Sequence, residues 1–148
     1  VLPVPERVSR ADWEATPGVT PLEADERYRR YEYLGAVVTY EYWGDTLILD
    51  GFTAETSDFP FAVRGLGLGK PFDEACARFP ARPPISSAEP EHYRILDDSD
   101  CGLLGSFDAH DASRGGPDVS VSDGWTITRF IFNEDDRVYK IEFWASVD

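Results

Sequence analysis

A chain of 148 residues with 42% hydrophobic and 14% aromatic content is long enough for one domain with its own core, and its composition is not that of a disordered segment. The formal net charge of −14 sets it against nucleic-acid phosphates and anionic membrane surfaces, and favours solubility and steering toward a basic protein partner. No apolar run approaches the roughly 18–20 residues of a membrane span, so membrane insertion is not expected.

Residues 1–20 read as a loosely structured arm, interrupted by Pro3, Pro5, Pro17 and Gly18. A single turn is expected at Ser9, with Asp12 three places on as in a capping box and Trp13 anchoring the arm to the body. Residues 21–148 read as one α+β domain. Thr20-Pro21-Leu22-Glu23 has the form of a helix start, with Thr as N-cap, Pro at the first helical position and Glu at the third. From about Tyr31 the pattern turns to strand. Leu34, Ala36, Val38, Tyr40 and Tyr42 alternate onto one face, and Gly44-Asp45 turns the chain into Thr46–Thr53, which predicts an antiparallel hairpin. A third extended piece runs through Phe61 to Leu66.

The stretch Val63–Pro80 holds a glycine turn, a helix start and a helix stop. Pro71 suits a first helical position, and Asp73 and Glu74 complement the positive end of the helix dipole. Phe72, Ala75, Cys76 and Phe79 recur at i, i+3, i+4 and i+7, one buried face of a short helix that Pro80 ends. Ala81–Pro90 reads as an irregular connection and Tyr93–Leu96 as a short strand, whereas Asp108–Asp123 reads as a loop. Trp125–Phe132 and Val138–Trp144, joined by Asn133–Arg137, predict a closing hairpin. The expected fold is α+β, an antiparallel sheet of about five to six strands with one or two short helices packed on one face.

Residue types that carry chemistry are sparse. His92 and His110 are the two histidines, and Cys101, Asp108, His110 and Asp111 match no metal-ligand spacing. Ser106, Asp108 and His110 are triad residue types, but as i, i+2, i+4 neighbours on a loop they do not suggest triad geometry. Asp97–Asp108 departs from a calcium loop at Cys101, Leu103 and its closing Asp. Gly65-Leu-Gly-Leu-Gly-Lys70 lacks the Walker spacing and the Rossmann context. No catalytic residue, metal or cofactor is expected. Between Glu89 and Asp111 seven carboxylates face one arginine, Arg94. Paired carboxylates can hydrolyse glycosides, but a decoy surface for a basic partner demands less geometry. Asp97, Asp98, Asp100, Asp108 and Asp111 are therefore candidate partner contacts. Tyr42-Trp43, at the tip of the first hairpin, is the best candidate for the aromatic anchors typical of binding hot spots, with ordinary core packing the alternative, more so for Tyr42 than for Trp43.

The two cysteines, Cys76 and Cys101, are an even pair, and the chain starts Val-Leu-Pro-Val-Pro without methionine. A secreted or periplasmic mature chain with one Cys76–Cys101 disulfide would look like this. So would a trimmed chain in which Cys76 packs as a free thiol on the apolar helix face.

Gly65-Leu-Gly-Leu-Gly-Lys-Pro-Phe-Asp-Glu-Ala-Cys-Ala-Arg-Phe-Pro80 resembles the glycine-and-short-helix signature of small bacterial envelope domains, among them the beta-lactamase inhibitor protein family and the SmpA/OmlA-type assembly lipoproteins. Phe130–Glu142 is similar to their closing hairpin. The cysteine spacing departs from the inhibitors, and there is no N-terminal lipidated cysteine as in the lipoproteins. The resemblance implies a sheet with one face to helices and the other to a partner. Together with the charge, it points to a non-catalytic binding protein, an inhibitor or immunity protein that occludes a bacterial enzyme or toxin. An envelope assembly or scaffold protein is the alternative.

Overall fold

The computed structural model describes residues 2–78, 92–96, 104–108, 118–122 and 126–145. The chain opens with β1 (Arg7–Ser9) and α1 (Arg10–Glu14), followed by β2 (Thr20–Ala24), β3 (Tyr28–Tyr33), β4 (Ala36–Trp43) and β5 (Thr46–Ala54). A small hairpin, β6 (Ala62–Val63) and β7 (Leu66–Gly67), leads into α2 (Phe72–Arg78). The remaining strands are β8 (His92–Leu96), β9 (Leu104–Asp108), β10 (Asp118–Ser122), β11 (Ile127–Phe132) and β12 (Val138–Trp144).

The main sheet is antiparallel and ten-stranded, in the order β2-β3-β4-β5-β12-β11-β10-β9-β8, with β1 added on β5. Strand β5 organises the first half. One edge of it pairs with β4 along its length. The other edge is shared, with β1 on Thr46–Ile48 and β12 on Gly51–Ala54. Alternation then decides the layers. Tyr31, Val38, Phe52, Phe143, Thr128 and Val121 are in register across six strands, and all six are buried on the inner face.

Both helices pack on that inner face. Ser9 caps α1 by accepting from the Asp12 amide at 3.1 Å, as the sequence pattern predicts. The helix delivers Trp13 edge-on to Tyr31, Tyr33 and Tyr40, with ring centroids 6.0, 5.3 and 5.3 Å away. Phe59 and Phe61 pack on Phe52, and Phe72 of α2 meets Phe132 edge-on at 5.3 Å.

The hairpins β4–β5 and β11–β12, the strand at Tyr93–Leu96 and the helix from Phe72 form as the sequence predicts. Other elements differ, and the sheet has more strands than the five or six expected. Thr20–Ala24 is an exposed strand, not a helix start, because pairing with β3 outweighs a capping signal that lacks an apolar helical stripe behind it. Asp118–Ser122, expected within a loop, is a strand whose Val119 and Val121 are buried. The arm at 1–20 is bonded into the body. The Leu49 amide donates to the Glu6 carbonyl and Arg10 N–H to Asp45 O, both at 2.8 Å. The Tyr40 hydroxyl donates to the Pro5 carbonyl at 2.8 Å. Among the described residues, no helix is long and apolar enough to cross a membrane.

Candidate functional site

Residues 37, 39, 41 and 43 of β4 point away from the core, and their register partners define the outer face. Tyr28 and Ile48 flank Glu41, Arg30 and Gly51 flank Thr39, and Glu32 and Thr53 flank Val37. Past β5 the same rows continue into Glu142 and Trp144 of β12. This face is not uniformly open. Across β10 and β11 the outward residues Asp118, Arg129 and Ile131 are buried. There the Arg129 guanidinium lies 3.2 Å from Asp118 and 3.5 Å from Glu142, so the charges enter the interior paired. Over β3, β4 and β5 the face carries exposed and half-buried side chains.

Trp43 is the most exposed large hydrophobic residue described, at 63%. It ends β4 opposite Thr46, beside the Gly44 turn. Tyr42, one residue earlier, points the other way. It packs partly buried against the core, with the Arg29 and Arg10 guanidinium carbons 4.6 and 5.9 Å from its ring centroid. The pair expected to act together is thus split between two faces. Tyr28 shares the outer face with Trp43, as Trp144 does farther along the sheet, and the Arg27 guanidinium lies 5.3 Å from the Tyr28 ring centroid.

Asp108 closes β9 in register with Asp118 and His92. It lies five inter-strand steps from β4, roughly 24 Å along a sheet spaced at ~4.8 Å, and toward the opposite strand ends from Trp43. Asp97, Asp98, Asp100, Asp111, His110 and Cys101 lie outside the described residues, as does any pairing of Cys101 with Cys76. Among the described residues, no three His, Cys, Asp or Glu side chains gather as metal ligands would.

One feature of the open face was not anticipated. The β4–β5 register slips between Thr39 and Tyr40, leaving Asp50 as an extra residue in β5. The bulge sets Asp50 and Gly51 side by side, and the Ala145 amide donates to the Asp50 carbonyl at 2.8 Å. With no side chain at Gly51, the face dips into a hollow of ≈ 180 Å³. Arg30, Thr39, Asp50, Thr53, Glu142 and Trp144 stand around it. A second concavity of ≈ 440 Å³ lies on the inner side, where Leu2, Phe61, Val63, Val121 and Phe143 meet Arg64 and Glu6.

No family model, curated protein or solved structure matches the chain. The site must therefore be read from its own chemistry.

Several charges near the outer hollow are paired. Arg27 donates to Glu41 at 3.0 Å, Arg30 lies 3.7 Å from Glu23, and Glu142 faces Arg129. The Asp50 carboxylate makes no hydrogen bond or ion pair among the described residues. Burial pushes its carboxyl above the ordinary 3.8, the Glu41 charge adds to the rise, and Arg27 and Arg30 offset it only in part. A carboxyl raised in the folded state binds its proton more tightly there than in the unfolded chain. The native state is therefore penalised above the folded pKa and relieved below 3.8, so Asp50 lowers stability as pH rises through that window. Asp50→Asn should raise the urea midpoint at neutral pH and leave it unchanged below 3.8. Equal midpoints at both pH values would show that the carboxylate is well solvated.

Proposed function

We propose that this domain is a non-catalytic protein-binding module that docks through the open outer face of β3, β4 and β5, with Trp43 as its anchor. The observation that carries the reading is Trp43 itself, a tryptophan 63% exposed at the hydrogen-bonded end of the β4–β5 hairpin. Exposed Trp on an ordered strand offers large contact area at small entropic cost, and such residues dominate interface energetics. Ion pairs and half-buried polar groups around it resemble the polar rim of an interface. The likeness of Gly65–Pro80 and Phe130–Glu142 to envelope domains agrees with a sheet that gives one face to helices and the other to a partner.

Within that reading the partner is basic, a bacterial enzyme or toxin that the domain inhibits or to which it gives immunity. The net charge of −14 supports this by steering such a protein from a distance. Near Trp43 the charges are mixed, with Arg27 and Glu41 forming an ion pair, so steering and final contact are separate contributions. Export and a Cys76–Cys101 bridge belong to the same proposal, supported by the even cysteine count.

Wild type and Trp43→Ala, immobilised side by side, provide the test. A basic protein held stoichiometrically by wild type should bind Trp43→Ala at least about 30-fold more weakly, the loss of a hot spot worth ~2 kcal/mol. Raising salt to about 0.5 M should slow its association far more than it speeds dissociation. Undiminished capture by Trp43→Ala would remove the outer face from the interface.

A further inference from the structure

The hollow above Gly51 gives the proposed interface a chemical preference. It sits in the same outer face as Trp43, and it is permanent. A side chain at residue 51 would run its Cβ into the Phe143 carbonyl of the neighbouring strand. A bulge next to it holds Asp50 against β12 through the Ala145 hydrogen bond. The dip is therefore built into the pairing of three strands rather than left by a mobile side chain.

Charge decides what fits there. The Arg27–Glu41 and Arg30–Glu23 pairs cancel close to the hollow, and Arg129 is shared between Glu142 and Asp118, so the lining does not carry excess positive charge. The Asp50 carboxylate makes no ion pair among the described residues, and the charges of Arg27 and Arg30 offset its burial only in part. The uncharged residues of the lining include Val37, Thr39, Thr53 and Trp144. A metal ion would need several oxygen ligands free at once, and the neighbouring carboxylates are committed to arginines. A single organic cation on an aliphatic stem needs less: one carboxylate for its charge, hydroxyls for its remaining donors and an aromatic wall for its methylenes.

We propose that the hollow over Gly51 receives one lysine or arginine side chain of the protein partner, with Asp50 as its counter-ion and Trp144 as its wall. The inference rests on the outer-face reading given above and names the partner residue that reading lacks. Docking would desolvate Asp50 further but supply the charge it is missing, and hydrogen bonds between charged groups are the strong ones. An arginine in the partner would sit flat on Trp144, and a lysine would place its ammonium at Asp50.

The test needs no partner. Uniformly ¹⁵N-labelled protein is titrated with N-acetyl-lysine N-methylamide, and in parallel with the norleucine analogue, which keeps the stem and lacks the charge. Saturable shifts of the Thr39, Asp50 and Gly51 amides and the Trp144 indole N–H are expected with lysine and not with norleucine. Asp50→Asn, which should fold at least as well as wild type, is expected to weaken the lysine response at least about tenfold. Absence of saturable shifts at these four positions, or the same response with norleucine or in Asp50→Asn, would overturn the inference. Failure here is separable from failure of the interface. If lysine is ignored while Trp43→Ala still abolishes capture, the hollow falls and the binding face stands.

Discussion

Replacing Trp13 by alanine should cost about 3–5 kcal/mol, the range for removing a large aromatic side chain from a packed core. Trp13 is 2% exposed and touches the rings of Tyr31, Tyr33 and Tyr40, so its loss would leave a cavity walled by three tyrosines of two strands. The damage would extend to polar bonds that these rings hold. The Tyr31 hydroxyl donates to Glu14 at 3.0 Å, and burial together with that carboxylate pushes the phenol up to about 12. Glu14 also accepts from Arg10 at 3.1 Å. Burial alone would raise the Glu14 carboxyl, but the bonds from Arg10 and Tyr31 hold it below its usual value. Trp13→Phe should cost much less, because it keeps an aromatic ring in the cluster and removes a buried indole N–H that has no acceptor among the described residues. Urea denaturation of both variants checks the difference. A Trp13→Ala midpoint within error of wild type would mean that residues 1–20 are not part of the core.

That cluster also shows where sequence reasoning succeeds and where it stops. Ser9 and Asp12 are three residues apart and their bond is local, so α1 was legible. The partners of Trp13 lie eighteen or more residues away, and nothing local in a Pro-rich arm announces them. The strong alternation of β4 and the turn at Gly44 made the first hairpin legible, as the two aromatic strands did the last. Strand β2 was not, because Thr20, Pro21 and Glu23 carry a genuine capping pattern and only the pairing with β3 overrides it. Of the site, Trp43 was named from its place at a turn. Tyr42 was named with it although its place in the Ala36–Tyr40 alternation already favoured core packing, because strand alternation puts neighbours on opposite faces. The hollow was missed despite a signal. A glycine inside a strand pattern, as in Leu47-Ile-Leu-Asp-Gly-Phe52, commonly marks a bulge or a close backbone approach, and Gly51 marks both.

Gly51→Ala is therefore expected to be as severe as many core truncations, although it adds one methyl group. The new Cβ would collide with the Phe143 carbonyl, with the Phe143 carbonyl carbon and Trp144 Cα close behind at 3.2 and 3.4 Å. All three are backbone, so no rotamer change relieves the contact, and β5 and β12 must separate where they join the two halves of the sheet. Overpacking costs 1–3 kcal/mol in general, and a rigid backbone wall places this case at about 3 kcal/mol. Gly44→Ala is the control. Gly44 has φ +61 and nothing within 4 Å of the added Cβ, so it should lose only the conformational preference, roughly 1–2 kcal/mol. Urea denaturation of the two variants, with amide exchange at Ala145 as a local probe, distinguishes the causes. Faster exchange at Ala145 is expected for Gly51→Ala alone, because its bond to Asp50 spans the strained joint. Equal losses in the two variants, with Ala145 protected in both, would mean that β12 does not approach β5 closely enough for the glycine to be required.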